Sequence, residues 1–327
     1  MIQTQENLQE DFQRKSPFIN RFLTKGFVSG KNEWWMYLLG IFAAFTGYLA
    51  FQFIMLIPLM AAANNKGIGL SEITKNPNIL FNPEAIGMNR SVLLALMMGM
   101  FVFTLLFLWM ALKFIHKKTL PSIITGYTNI RWSRYFFSFS IWSGLIILLT
   151  IVSYFTSPEE MEIRFDASKF IVLLVVAIIF VPIQTATEEL LFRGYLMQGL
   201  GLAFKNGITP LIITSVLFGL MHASNPEAKA HGLLIMMPYY IFFGAFLGIL
   251  TLLDEGAELA MGIHCANNLV SSLLITSKNS VLQTDAIFYT TSENPGGEFM
   301  MWIAMASICF FILHKKYTLS NWKLILR

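Results

Sequence analysis

The stretch Phe170–Gly194, FIVLLVVAIIFVPIQTATEELLFRG, sets a long apolar run directly before two adjacent carboxylates and an arginine. A helix that is apolar all round belongs against lipid or other buried helices, not on the surface of a soluble domain. The rest of the chain has the same character. Of 327 residues, 55% are hydrophobic and only 13% charged, with 30 Phe and a mean hydropathy of +0.61. These figures exclude a water-soluble enzyme, a disordered chain and a disulfide-stapled fold. The two cysteines, Cys265 and Cys309, each sit inside an apolar stretch and supply neither a disulfide nor a metal framework.

A helix needs about 20 mostly apolar residues to cross the hydrocarbon core, because backbone polar groups there must be satisfied within the segment. Eight segments are candidates: Trp35–Ala61, Ser91–Ile115, Tyr135–Phe155, Phe170–Leu196, Thr209–Met221, Leu233–Leu253, Ala257–Thr276 and Met300–Leu313. The fifth and eighth are short. With the amino terminus inside, 15 Lys and Arg fall in the inner loops and tails against seven outside, the bias that sets orientation in membranes. The expectation is an all-α membrane protein, a polytopic bundle of about eight transmembrane helices in the cell membrane with both termini cytoplasmic.

Residues 1–32 read as a cytoplasmic tail, 33–160 as an N-terminal region of about three spans, 161–314 as a core of later spans, and 315–327 as a second cytoplasmic tail. The polar tail ahead of a long first span argues against a cleaved signal peptide. Within it, Pro17–Phe27 mixes apolar and basic residues and suits either the membrane surface or a solvated tail. His116 and His314, beside lysine pairs at span ends, read as interfacial anchors, and Trp34, Trp35, Trp132 and Trp302 as a membrane-interface belt. The cations follow span ends, and no nucleic-acid partner is expected.

An ionisable group within a span costs roughly 2.5–3.5 kcal/mol on insertion scales, so each is a functional candidate. They concentrate in the second half: Glu188, Glu189 and Arg193 end the fourth span, His222 ends the fifth, and His264 lies with Asn267 and Asn268 in the seventh. Residues four apart share a helix face. Glu189 and Arg193 therefore pair, acid before base. That leaves Glu188 without a cation on its own helix, free to act as a general base. His222 faces the same way as Phe218. His264 shares its face with Asn268, while Asn267 is only slightly less well placed. The plainer readings are a structural ion pair, an interfacial histidine and a helix-packing hydrogen bond. A carboxylate, two imidazoles and a carboxamide on three helices of one bundle nonetheless supply the parts for amide hydrolysis: an activated water and donors for the oxyanion.

The ordered set Glu188-Glu189-x-x-x-Arg193, Phe218-x-x-x-His222 and His264-x-x-x-Asn268 resembles the three motifs of the CAAX-protease and bacteriocin-processing (CPBP) family of intramembrane proteases. This family is also known as the ABI or type II CAAX prenyl endopeptidase family and includes the Rce1 proteases. The resemblance covers about residues 170–280. It implies that Glu188 is the general base, that His222 holds and polarises the water, and that His264 and Asn268 form the oxyanion hole. Glu189 and Arg193 would support the site, and Phe218 would pack beside His222. It also favours Asn268 over Asn267. The implied substrate is a membrane-associated or lipidated peptide cut near its C-terminus.

Glu188, His222 and His264 could also supply a two-His, one-carboxylate zinc site. Such a site would want a second carboxylate as base, and Glu189 is committed to Arg193. No cofactor is therefore favoured. The alternatives are a zinc-dependent version of the same protease and a non-catalytic binding or immunity protein on the same fold. The oligomeric state is not legible in the sequence.

Overall fold

The computed structural model describes residues 16–326, so the tail ahead of Ser16 and the terminal Arg327 lie outside the described part. A short helix α1 (Arg21–Val28) precedes α2 (Trp34–Asn65), α3 (Arg90–Met110, prolonged by a π-helical turn to His116) and α4 (Trp132–Thr156). Then α5 (Ala167–Glu189) passes through a π-helical turn, Leu190–Leu196, into α6 (Met197–Phe204). The later long helices are α7 (Ile208–Met221), α8 (Leu233–Leu253), α9 (Glu258–Leu274) and α10 (Pro295–Tyr317), with short helical turns at Pro226–His231 and Lys323–Leu326.

A helix stands at each of the eight places where a span is expected. Six of the rods, α2, α3, α4, α5 with α6, α8 and α10, are long and apolar enough to cross a membrane. The chain is thus a polytopic all-α membrane protein. The other two helices are short: α7, with 14 residues, matches the short segment expected at Thr209–Met221, and α9, with 17, falls short of Ala257–Thr276. The eighth segment is longer than expected, at 23 residues. The membrane helices carry their own start signals. Asn89 caps α3 by accepting from the Ser91 and Val92 amides, and Asp166 caps α5 by accepting from those of Ser168 and Lys169.

Of the two short helices α9 is the one enclosed by protein, while α7 leaves Ile212, Leu220 and Met221 exposed. α9 packs against α4, α5 and α8, and α7 packs mainly against α8. Leu259, Ala260, Ile263 and Ala266 of α9 are fully buried. Gly262 lets α9 come so close to α4 that a Cβ there would collide with Ser138 Oγ and the Tyr135 carbonyl. Three short strands, β1 (Met161–Ile163), β2 (Ile275–Thr276) and β3 (Phe288–Thr290), form a sheet in the order β1-β3-β2. It ties the chain entering α5 to the chain leaving α9, and so clamps together the two helices that carry the polar residues. At the opposite end Arg131 bridges Asp254 at 2.9 Å and Glu258 at 2.6 Å, which joins the start of α4 to the turn between α8 and α9.

Several peripheral expectations change. The segment from Phe18 to Leu23 turns its apolar side onto protein, neither onto lipid nor into solvent: Phe18, Phe22 and Leu23 enter the main core. The Asn20 carboxamide caps α1, accepting from Phe22 and Leu23, and donates to the Leu252 carbonyl at 2.8 Å. His116 is fully buried, not interfacial, with Nε2 2.7 Å from the Tyr195 hydroxyl. Its neighbour Lys118 is buried too and donates to the Gly26 carbonyl, and burial pulls its ammonium down to about 8. Trp302 packs among Tyr239, Phe243, Phe246 and Phe299 inside the bundle. Trp34, Trp35 and Trp132 are exposed.

Candidate active site

Glu189 and Arg193, four residues apart, meet at 2.8 Å with both side chains wholly out of solvent. The π-helical turn begins between them, a local widening often found at functional positions. A buried guanidinium must find other partners, and Arg193 does: Nη2 donates to the Gly244 carbonyl of α8 at 3.0 Å, and the Phe218 ring lies 4.4 Å from its central carbon. The same Glu189 oxygen that receives Arg193 also accepts from His264 Nδ1 at 2.7 Å. A carboxylate only accepts, so Nδ1 carries the hydrogen, and Nε2 is the nitrogen turned toward the site.

Glu188 is buried, with 8% of its surface exposed, and faces the interior rather than lipid. Its Oε1 accepts from Gln184 Nε2 at 2.7 Å. Its Oε2 is buried without a protein partner and lies 3.6 Å from His264 Nε2. Asn268 Nδ2 donates to Gln184 Oε1 at 3.0 Å and sits 3.4 Å from His264 Nε2. One carboxylate oxygen, one imidazole nitrogen and one carboxamide thus converge from α5 and α9.

His222 stands slightly apart. Its Nδ1 donates to the Phe218 carbonyl at 2.7 Å, which leaves Nε2 free, and its ring stacks on Tyr240 with centroids 4.7 Å apart. The Phe218 ring touches both histidines, with centroid distances of 4.6 Å to His222 and 5.9 Å to His264. Among the described residues no hydrogen bond or ion pair links His222 to Glu188, Glu189 or His264. Nor is any group of three His, Cys, Asp or Glu side chains placed to hold a metal ion among them. Glu188, His222 and His264 are therefore not gathered as zinc ligands here.

The arrangement separates the two asparagines that helical geometry left nearly equivalent. Asn268 points to Gln184 and His264, while Asn267 Oδ1 accepts from the indole of Trp142 on α4 at 3.2 Å. Gln184 and Trp142 were missed by sequence reasoning. Gln184 had a usable signal, an amide four residues before Glu188 on an otherwise apolar face. Trp142, on a third span without charged residues at depth, had none.

Residues 167–270, which include α5 through most of α9, match the family described as type II CAAX prenyl endopeptidase Rce1-like. The chain is also similar to YyaK, an uncharacterized protein of Bacillus subtilis (strain 168), at 32% identity over 286 residues, covering 86% of this chain and 90% of that protein. No solved structure matches it. The family match falls on the helices that bring Glu188, His264 and Asn268 together, and the likeness to YyaK runs over most of both chains: the protein is an integral, multi-pass member of the Rce1-like, type II CAAX prenyl endopeptidase family.

Proposed function

We propose that this protein is an intramembrane endopeptidase in which Glu188 activates a water against a peptide bond near the membrane surface. The observation that carries the reading is the unpartnered Glu188 Oε2, buried 3.6 Å from His264 Nε2. A lone pair held ready in a water-poor site is what a general base requires. As the water attacks the carbonyl carbon, its proton passes to Glu188 and the carbonyl oxygen becomes an oxyanion; when that intermediate collapses the C–N bond breaks and Glu188 returns the proton to the leaving amine. Asn268 Nδ2 and His264 Nε2, 3.4 Å apart, lie together where that charge develops. His222, with Nε2 free, holds the water or the substrate amide across the Phe218 ring.

The reading is metal-independent. Glu189 is engaged by both Arg193 and His264, so if Glu188 served as a zinc ligand no second carboxylate would be left as base. The substrate class is a peptide whose C-terminal region is lipidated or membrane-embedded, and the protein sits in the cell membrane with both termini in the cytoplasm. The test uses the purified protein in proteoliposomes with a farnesylated CAAX peptide, its products read by mass spectrometry. Release of a C-terminal fragment is expected to survive 1,10-phenanthroline, and His222→Ala is expected to slow it on the order of a hundredfold. Activity lost to chelation and restored by zinc would overturn metal independence, and a fully active His222→Ala enzyme would overturn the role of His222.

A further inference from the structure

Four hydrogen bonds run in one direction from α4 to the base. Trp142 Nε1 donates to Asn267 Oδ1 at 3.2 Å, Asn267 Nδ2 to Asn268 Oδ1 at 3.1 Å, Asn268 Nδ2 to Gln184 Oε1 at 3.0 Å, and Gln184 Nε2 to Glu188 Oε1 at 2.7 Å. The ends fix the middle. An indole N–H can only donate and an ionised carboxylate can only accept, so each of the three carboxamides has one orientation that satisfies the chain. Reversing any of them would set donor against donor or oxygen against oxygen within the bundle, at the cost of an unsatisfied buried polar group. Trp142 is fully buried, and its ring is held by Phe246 at 6.0 Å between centroids, so the starting point is firm.

We propose that Gln184, anchored through Asn268 and Asn267 by Trp142, is the positioning residue of Glu188 in the hydrolysis proposed above, on which this inference rests. The relay has two consequences. It occupies Glu188 Oε1, so that Oε2, the oxygen nearer His264, takes the proton from water. It also uses one hydrogen of Asn268 Nδ2 on Gln184 and leaves the other, beside His264 Nε2, for the oxyanion. The base and the oxyanion donor are thereby held in register by one amide rather than by their separate helices. This gives Asn267 and Trp142 a purpose that neither the charged residues nor the helix-face argument assigns them.

The experiment measures steady-state cleavage of an internally quenched, farnesylated CAAX peptide by wild type, Gln184→Met and Trp142→Phe, with thermal unfolding of the same samples. Gln184→Met is expected to lower kcat on the order of tenfold, as loss of an outer partner of a reacting group does. KM should hold, the unfolding temperature should fall by only a few degrees because each variant strands a buried polar partner, and Trp142→Phe should shift kcat in the same direction by less. Unchanged kcat in both variants, or a loss confined to KM, overturns the positioning role. A second measurement needs no substrate: the ¹⁵N-indole resonance of Trp142, assigned by its absence in Trp142→Phe, is expected to move in Gln184→Met. An unmoved resonance overturns the relay. A wild type that leaves the peptide intact counts against the proposed hydrolysis and not against the relay, which the indole signal decides alone.

Discussion

Arg193 shows what each buried charge in this cluster depends on. It answers Glu189 from inside the protein, so Arg193→Met strands a carboxylate away from water and is expected to destabilise the fold by about 3–5 kcal/mol, read by chemical unfolding in detergent. Adding Glu189→Gln should restore part of that loss, and a double variant no more stable than Arg193→Met alone would contradict the pairing. This pair was legible in the sequence because four residues along a helix bring two side chains onto one face. The same rule placed His222 beside Phe218 and His264 beside Asn268. It could not reveal that Glu189 also receives His264, a contact between residues 75 positions apart, nor that Gln184 holds Glu188 to Asn268. His116 was misread for a related reason: a lysine pair beside it suggests an interface, whereas its burial comes from Tyr195 on a distant helix.

At the scale of elements, α9 is the piece on which the others close. Apolar length located the helices because lipid demands it, and it overstated α9 because protein neighbours also provide an apolar surrounding. Gly262 sets how near α9 comes to α4, and therefore whether Asn267 reaches Trp142. Gly262→Val is expected to cost about 1–3 kcal/mol by overpacking and to reduce cleavage as well. A variant of wild-type stability and rate, measured by unfolding and peptide hydrolysis, would show that the close approach is not needed. The π-helical turn after Glu189 and the small sheet that joins α5 to α9 left no mark in the sequence. A widened turn has no residue signature, and the strands are two or three residues long.

Across the whole molecule, cation placement gives an orientation that chemistry can check. In a chain without Cys265 and Cys309, an impermeant maleimide is expected to label Lys75→Cys on intact cells and Lys316→Cys only after the membrane is opened; the reverse pattern would invert the topology. The cluster makes sense only in a chain so embedded, where two glutamates, an arginine and two histidines are set among apolar helices at a cost that function must justify. The most direct measurement is the cleavage rate of the farnesylated peptide by Glu188→Gln reconstituted beside wild type, with the unfolding temperature of both recorded. The amide keeps the shape and removes the base, so the account predicts a correctly folded protein slowed about 10²- to 10⁴-fold. A Glu188→Gln protein that cuts at the wild-type rate would contradict it.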